Sequence, residues 1–240
     1  MADFTKSGKI LVLGATGPAG ICLLRELIHQ KYSTIVYARN PAKISQDIAS
    51  NALITAQIIK GEINDLGGLS TAMAGSSAVL SLLGPNISDK TIPHSLFADY
   101  YINSIFPVMR KLGVRRIVAM GTISISCPDD HWTIFQPMVH MFMKLFARAV
   151  YQNMLNLADA FKNEAQGLDW SLFRIAQIPG ESDEASWKAD READQVYAGP
   201  LGGKGWSTSV KRAALAKWMV DNVGSEEWVT KMPALSRLAN

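Results

Sequence analysis

A glycine-rich loop near the start of the chain has the spacing of a phosphate-binding turn. The heptapeptide GATGPAG (residues 14–20) lies between the apolar run KILVL and the helical pattern ICLLRELIHQ. In such a loop the first glycine permits a tight turn, the second lets the backbone approach a pyrophosphate, and the third lets the helix pack closely on the sheet. The free amides at the helix start, and the hydroxyl of Thr16, then offer donors to phosphate oxygens. No Gly-Lys-Ser/Thr sequence follows, which disfavours a nucleoside triphosphatase, so the loop predicts dinucleotide binding. The residues predicted to contact the dinucleotide are Gly14, Thr16, Gly17, Pro18, Ala19 and Gly20.

The end of the second predicted strand indicates which dinucleotide is bound. Sites that prefer NAD place an acid there, which binds the ribose 2′-hydroxyl. Here the segment VYARN (residues 36–40) contains no acid, and Arg39 stands at its tip with Lys43 close behind. A guanidinium pairs well with a 2′-phosphate. We therefore expect NADP(H) as the cofactor, the alternative being a solvated arginine at a helix start.

Strand and helix patterns alternate along the chain, which predicts an α/β protein with a doubly wound Rossmann fold. We expect a parallel sheet of six to seven strands with helices on both faces. The predicted strands are residues 9–13, 34–38, 54–60, 78–82, 116–120 and 170–175, with a short addition at 228–230. The predicted helices are residues 19–30, a short one from Pro41, one capped by Asp65 that runs to about 74, 94–112, 136–166, and 209–222 capped by Ser209. The charged, less periodic stretch 181–195 is predicted to be a surface loop or a mobile lid.

Composition and charge are those of an ordinary globular protein. The 240 residues are 48% hydrophobic and 19% charged, and the net charge of +3 is too small to indicate a nucleic-acid or membrane partner. Cys22 and Cys127 have neither disulfide nor zinc spacing, so Cys22 is expected in the core and Cys127 as a bystander in a polar loop. The N-terminal segment lacks an apolar signal region, and no run approaches the about 18 apolar residues of a membrane span. We expect a cytoplasmic protein, monomeric or homodimeric, that contains no metal.

Five segments carry a family resemblance that runs from about residue 9 to residue 222. They are KILVLGATGPAG, VYARNP, IIKGEIND, RRIVAMGTIS and LDWSLFRIAQI. Together they resemble the atypical short-chain dehydrogenase/reductases, and among these the NmrA-like and biliverdin/flavin reductase-type NAD(P)H-binding proteins. The cofactor contacts that the resemblance implies are Glu62, Asp65 and the intervening Ile63 by the adenine, Leu83 and Gly84 along the ribose, and Thr122, Ser124 and Ile175 near the nicotinamide.

The chain departs from this family at the residues of the reaction. Many short-chain dehydrogenases use a Tyr-x-x-x-Lys pair, in which the lysine lowers the pKa of the tyrosine. Here Tyr151 is followed at that spacing by Leu155, and Ile175 stands where the family usually has a proline. A standard alcohol dehydrogenase mechanism is therefore not supported. The candidate proton donors are Ser124, Tyr151 and His131, each with a plainer alternative: a hydroxyl bonded to its own loop, a core tyrosine and a surface histidine.

We expect residues 1–240 to form a single NAD(P)-binding Rossmann domain with substrate-facing additions near 125–150 and 176–208. Residues 138–146, rich in methionine and phenylalanine, are expected to fill a core, the alternative being the wall of an apolar substrate pocket. The leading hypothesis is an NADPH-dependent reductase that acts by hydride transfer on a small, partly apolar organic substrate. The alternatives are a non-catalytic NADP(H)-sensing regulator, and a lyase, isomerase or cyclase that retains the dinucleotide as a scaffold.

Overall fold

A sheet formed by most of the strands in parallel runs through the centre of the molecule. The structure is a computed structural model that describes residues 8–54, 57–89, 91–193 and 195–239. Its strands are β1 (Lys9–Leu13), β2 (Thr34–Ala38), β3 (Ile58–Lys60), β4 (Ser76–Ser81), β5 (Arg116–Thr122), β6 (Asp169–Ile175), β7 (Val196–Gly199) and β8 (Ala234–Arg237). In the described residues they form one sheet in the order β3-β2-β1-β4-β5-β6-β8-β7, with only β7 antiparallel to its neighbour. The predicted doubly wound Rossmann fold is confirmed.

Helices cover both faces of this sheet, which is why its central strands are continuous apolar runs. The helices are α1 (Pro18–His29), α2 (Gln46–Ala49), α3 (Leu66–Met73), α4 (Leu96–Tyr100), α5 (Phe106–Leu112), α6 (Phe135–Phe146), α7 (Arg148–Glu164), α8 (Glu184–Asp190) and α9 (Arg212–Asp221). One core cluster joins the sheet to α1 and α9, and a second joins the opposite face to α3, α5 and α7. Asp65 caps α3 as predicted, since its Oδ1 accepts from the amide of Gly68 at 3.0 Å. A π-helical stretch, Tyr101–Ile105, joins α4 to α5.

The strand order reverses between β1 and β4, whose connections leave toward opposite sides of the sheet. In doubly wound sheets the crevice beyond the carboxyl ends of such strands is where ligands bind. The glycine loop follows β1 directly, and the amide of Leu82 donates to the carbonyl of Leu13 at 2.9 Å, so both strands end at the same level. The fold therefore opens a crevice at the glycine loop.

The segment 181–195 is wrongly predicted as a surface loop or lid, because it contains α8 packed on the helical layer. Asp183 caps this helix, and Trp187 is 5% exposed within the core formed with α1 and α9. Arg191 donates two hydrogen bonds to the fully buried carboxylate of Glu26, Nη2–Oε1 at 2.8 Å and Nε–Oε2 at 2.9 Å. Trp187 and two ion pairs, Arg191 with Glu26 and Lys211 with Asp190, hold this helix on the protein, and the sequence of the helix has no apolar periodicity that predicts it.

The predicted helix 136–166 is two helices that meet at Ala147, where φ is −141° and ψ is 45°. The second, α7, packs in the core. The first, α6, buries only Met143, whereas Met138, Met141, Phe142, Leu145 and Phe146 are exposed. The prediction that residues 138–146 fill a core is therefore wrong.

The C-terminal part of the sheet also differs from its prediction. Ser209 forms a bridge with Gln177 instead of capping a helix, and α9 begins after Lys211 without a side-chain cap. Residues 228–230 form a turn, and the hairpin of β7 and β8 was not predicted. The third strand was predicted at residues 54–60, but only Ile58–Lys60 (β3) forms a strand, and residues 55–56 lie outside the described residues.

Candidate functional site

A cavity of about 370 Å³ opens where β1, β2 and β3 end; we call it the β1–β2 cavity. Its wall is formed by the glycine loop, the segment after β2, the turn after β3 and the end of β4. The lining residues are Gly14, Thr16, Tyr37, Ala38, Arg39, Asn40, Lys43, Gly61, Glu62, Ile63 and Leu83. The structure thus brings together seven of the predicted cofactor residues, which lie up to 69 positions apart in the sequence (83 − 14 = 69).

The three glycines of the loop have different reasons to be glycine. Gly14 has φ of +81°, and a Cβ there would lie 2.8 Å from the backbone of Leu82. A Cβ at Gly20 would lie 2.4 Å from the carbonyl oxygen of Gly14. At Gly17, with φ of −82°, a Cβ would meet no other residue closer than 3.9 Å. The protein's own packing therefore requires Gly14 and Gly20 but leaves the space at Gly17 free for a ligand.

The start of α1 is built to receive an anion. Gly17 is the N-cap residue and offers no side-chain acceptor, and Pro18 occupies the first turn. The amides of Ala19 and Gly20, in that turn, therefore lack the intrahelical acceptors that later amides have. Together with the helix dipole, they make a favourable place for phosphate oxygens.

Two cations stand beside this loop. Arg39 and Lys43 are both exposed, and within the described ranges neither forms an ion pair. A proline-initiated 3-10 turn, Pro41–Lys43, brings Lys43 back toward the end of β2. The carboxylate of Glu62 borders the same cavity, on the segment that follows β3. The β1–β2 cavity thus offers unpaired positive charge next to the glycine loop.

Tyr37 shapes this cavity and was missed in the sequence. It is 1% exposed, and its hydroxyl donates to the carbonyl of Glu62 at 2.9 Å. A Cβ at Gly61 would lie 2.2 Å from the same hydroxyl oxygen, so that glycine makes room for the ring. Burial, and then the charges of Asp65 and Glu62, raise the pKa of Tyr37, which keeps the phenol a donor. The only sequence signal was a glycine directly after β3.

The residues predicted near the nicotinamide lie at the carboxyl ends of β4, β5 and β6. Thr122 pairs with Ile175, and the amide of Ile123 donates to the carbonyl of Ile175 at 3.0 Å. A Cβ at Gly84 would contact the methyl group of Met120 at 3.7 Å, which places the end of β4 beside β5. Ser124 is 2% exposed in the turn that follows β5. These residues share one edge of the sheet with the glycine loop.

The three candidate proton donors do not form one cluster, and no hydrogen bond joins any two of them in the described part of the chain. The amide of Ser124 lies 3.4 Å from Oγ1 of Thr122. Tyr151 is 9% exposed under α6, with the ring of His140 at 5.8 Å and Nζ of Lys144 at 5.5 Å from its ring centroid. His131 is exposed, and its amide donates to the carbonyl of Leu201 at 2.8 Å.

A buried ion pair, also missed in the sequence, holds the loop that follows β5. Arg174 binds Asp130 through two hydrogen bonds, Nη1–Oδ2 at 2.6 Å and Nη2–Oδ1 at 2.7 Å. Their side chains are 1% and 7% exposed. The same guanidinium donates to the carbonyls of Met232 and Ile125, at 2.7 and 2.9 Å. Successive side chains of a strand point to opposite faces of the sheet, so the side chain of Arg174 lies on the face opposite that of Ile175. There it ties the loop after β5 to the segment that precedes β8.

Burial raises the pKa of both cysteine thiols. Cys22 is buried in α1, and burial raises its pKa to about 11. Burial also raises the pKa of the half-buried Cys127, more than the nearby Arg174 lowers it. The expected core position of Cys22 is confirmed.

Comparisons with known proteins agree with this geometry. Residues 14–226 match the model of a protein family described as NAD(P)H-binding. A short-chain dehydrogenase/reductase of wide type from Veillonella parvula, solved with NADP, shares 16% identity at a TM-score of 0.71, over 96% of this chain and 94% of that one. A Rossmann-fold NAD(P)-binding family protein from Shigella flexneri shares 22% identity at a TM-score of 0.63, over the same shares. An oxidoreductase from Lactococcus lactis shares 15% identity at a TM-score of 0.69, over 95% of this chain and 90% of that one.

At these identities the solved structures establish the likeness of the fold, and the family match covers most of the chain. This is a nucleotide-binding protein of the Rossmann class. More particularly, the chain belongs to the NAD(P)H-binding family, which confirms the resemblance found in the sequence. Its cofactor is a nicotinamide dinucleotide.

Proposed function

We propose that this protein is an NADPH-dependent reductase of a small, partly apolar organic substrate. The observation that carries the proposal is the pair of unpaired cations, Arg39 and Lys43, on the same cavity as the glycine loop. No acid stands at the end of β2, where an NAD-preferring site needs one. A cavity with free guanidinium and ammonium groups favours the dinucleotide that carries the additional phosphate.

The residues present are suited to hold this cofactor along its whole length. The amides at the start of α1, with Gly17 leaving room, would bind the diphosphate. Arg39 and Lys43 would bind the 2′-phosphate, with Glu62 and Ile63 beside the adenine. Leu83 and Gly84 would lie along the ribose, and Thr122 and Ile175 at the nicotinamide end. The bound nicotinamide supplies a hydride.

The protein's own part in the reaction is to place the substrate, exclude water and supply a proton. Ser124 is the proposed donor, because it follows Thr122 at the edge of the sheet and is nearly buried. Its hydroxyl has no hydrogen-bond partner among the described residues, which leaves it available to a substrate oxygen or nitrogen. Tyr151 and His131 are secondary candidates, since one packs under α6 and the other lies on an exposed loop.

The second candidate function is a non-catalytic NADP(H) sensor. It is favoured by Leu155, which replaces the lysine that would lower the pKa of Tyr151. A sensor would bind NADPH and NADP⁺ with different affinity and oxidise neither. A lyase, isomerase or cyclase, the third candidate, would convert its substrate without net change in the dinucleotide.

Turnover tests these alternatives directly. We expect the purified protein to consume NADPH, followed by its absorbance, with at least one member of a panel of quinones, enones and imines. Ser124→Ala should lower kcat by about a hundredfold, because positioned proton donors contribute at least that much. Ser126→Ala, an exposed serine of the same loop, is the control. Tight NADPH binding without any consumption would support the sensor, and substrate conversion at constant absorbance the third candidate.

The glycine loop allows binding and stability to be separated. Gly17→Ala should lower the free energy of unfolding by no more than about 1 kcal/mol, because alanine is a poorer N-cap residue than glycine but its methyl group would meet no other residue closely. Dinucleotide affinity should fall by tenfold or more, because the added methyl group occupies the space of the diphosphate. Gly20→Ala is the matched variant: its Cβ would overlap the Gly14 carbonyl, with an overpacking cost of about 1–3 kcal/mol. Denaturant unfolding and calorimetric titration with NADPH measure both quantities, and unchanged affinity in Gly17→Ala argues against this loop as the diphosphate site.

We further infer that residues 1–240 form a single Rossmann domain in a cytoplasmic monomer or homodimer. Parts of the two predicted substrate-facing additions, near residues 125–150 and 176–208, contact each other, which supports a common role at the substrate. The Leu201 amide donates to the Asp130 carboxylate at 3.0 Å, and the rings of Phe135 and Trp206 lie 6.1 Å apart. The α8 part of the second addition packs on α1 instead, so only the part near β7 is proposed to face the substrate.

A further inference from the structure

Helix α6 and the turn before it expose a continuous apolar surface. Its six members, 58–83% exposed, are named here the α6 face: Trp132, Ile134, Met138, Met141, Leu145 and Phe146. Ile134, Met138, Met141 and Leu145 recur every three or four residues, so they form one line along the helix. Large apolar residues exposed in such a contiguous set mark an interaction surface.

The opposite side of α6 is already occupied. Met143 and Val139 pack with Val150 and Tyr151 of α7, which holds the helix on the protein. The helix therefore carries apolar residues both toward the protein and away from it. Gln136, His140 and Lys144 form a polar line along the helix, and the apolar residues that do not pack on α7 require a second apolar environment.

The charges around the α6 face indicate what that environment is. Between Asp130 and Asp159 the chain contains no acidic residue, whereas Arg148 is exposed and so is Lys144, whose Nζ also lies 5.5 Å from the centre of the Tyr151 ring. A symmetric dimer through this face would bring each patch against its own copy, and α6 itself carries no carboxylate to pair with these cations, since the nearest exposed acid, Asp129, lies before Trp132. An anionic surface, by contrast, would pair with them.

We propose that α6 docks this protein on an anionic lipid bilayer, lying in the plane of the headgroups. Interfacial helices combine an apolar face that includes aromatic residues with flanking lysine or arginine, and bury that face about 5–10 Å deep. Trp132 is of the type enriched at the level of the headgroups. Among the described helices, none is both long and apolar enough to cross a bilayer. The net charge of +3 hides this local arrangement, which is why composition indicated no membrane partner.

Vesicle flotation tests the proposal on the full chain without cofactor, independently of any enzymatic activity. We expect the protein to float with vesicles of phosphatidylcholine and phosphatidylserine, and the fluorescence of Trp132 to shift to the blue. Trp132→Phe should remove that shift. Met141→Glu and Leu145→Glu should each weaken binding more than about tenfold, because burial of one such side chain is worth at least that factor. Leu66→Glu, at a residue 50% exposed on α3, is the matched control and should bind as the parent does.

The contribution of the two cations, Lys144 and Arg148, to vesicle binding is tested separately. Lys144→Gln and Arg148→Gln should each weaken binding to the anionic vesicles by about fivefold at low salt. They should have little effect on vesicles of phosphatidylcholine alone. Thermal unfolding of every variant checks that the fold is retained. Absence of flotation by the parent protein would overturn the proposal, and so would a dimer in solution that Leu145→Glu converts into monomers.

Discussion

Asp130→Asn is expected to destabilise the protein by about 3–5 kcal/mol, because it leaves the guanidinium of Arg174 buried without its counter-charge. The two side chains are almost fully buried and joined by two short hydrogen bonds. The carboxylate of Asp130 also accepts from the amides of Cys127 and Leu201, at 2.8 and 3.0 Å. The substitution therefore loosens both the loop after β5 and its contact with the β7 region. Denaturant unfolding of the parent and the variant measures the difference.

The loss of stability caused by Asp130→Asn should depend on pH, because the carboxylate of Asp130 titrates. Burial by itself would raise the pKa of Asp130, but the hydrogen bonds from Arg174 and two backbone amides outweigh it and hold the pKa below its ordinary value of 3.8. A lowered pKa in the folded state stabilises the protein above the unfolded value, and this contribution is lost as the pH falls through the folded value. We therefore expect the difference between parent and variant to be full at neutral pH and to shrink below about pH 4.

A matched control is the ion pair of Arg115 and Asp169, whose side chains are 67% and 38% exposed. Asp169→Asn should cost less than about 1 kcal/mol, because exposed pairs gain little over solvation. If Asp130→Asn and Asp169→Asn lowered the free energy of unfolding equally, burial would not make the pair of Asp130 and Arg174 more stabilising than the exposed pair, and the prediction would be wrong.

Arg39→Ala is expected to weaken NADPH binding by roughly ten- to a hundredfold, the range for loss of hydrogen bonds to a charged group. NADH affinity should change by less than about threefold, because NADH has no 2′-phosphate for the arginine to bind. Calorimetric titration with both dinucleotides measures the ratio. The prediction depends on Arg39 forming no ion pair within the described residues. A guanidinium already paired with a carboxylate would bind a phosphate more weakly.

Arg115→Ala is the control for this selectivity. Arg115 precedes β5 and therefore lies at the amino ends of the strands, at the opposite edge of the sheet from the β1–β2 cavity. It should leave both affinities unchanged. If Arg39→Ala lowered the affinities for NADPH and NADH equally, Arg39 would not be the residue that binds the 2′-phosphate, although the glycine loop could still bind either dinucleotide.

Much of the dinucleotide half of the molecule was predictable because its signals are local. The strand β1, the turn at Gly14 and the helix α1 are neighbours in the chain, and each has a residue pattern of its own. Arg39 could be placed because it directly follows β2. Tyr37 could not, because its role depends on Gly61 and Glu62, which reach it only when β3 pairs with β2.

What the sequence alone determined is the class of fold, the family and the position of the glycine loop between β1 and α1, since these depend on apolar periodicity and on glycines between adjacent elements. The tertiary structure decided the contacts between distant residues. It placed Asp130 against Arg174, 44 positions away, and anchored α8 through Trp187 and the pair of Arg191 and Glu26. It also decided which side of α6 faces outward, because a helix with apolar residues on both sides has the same pattern whether it is buried or exposed.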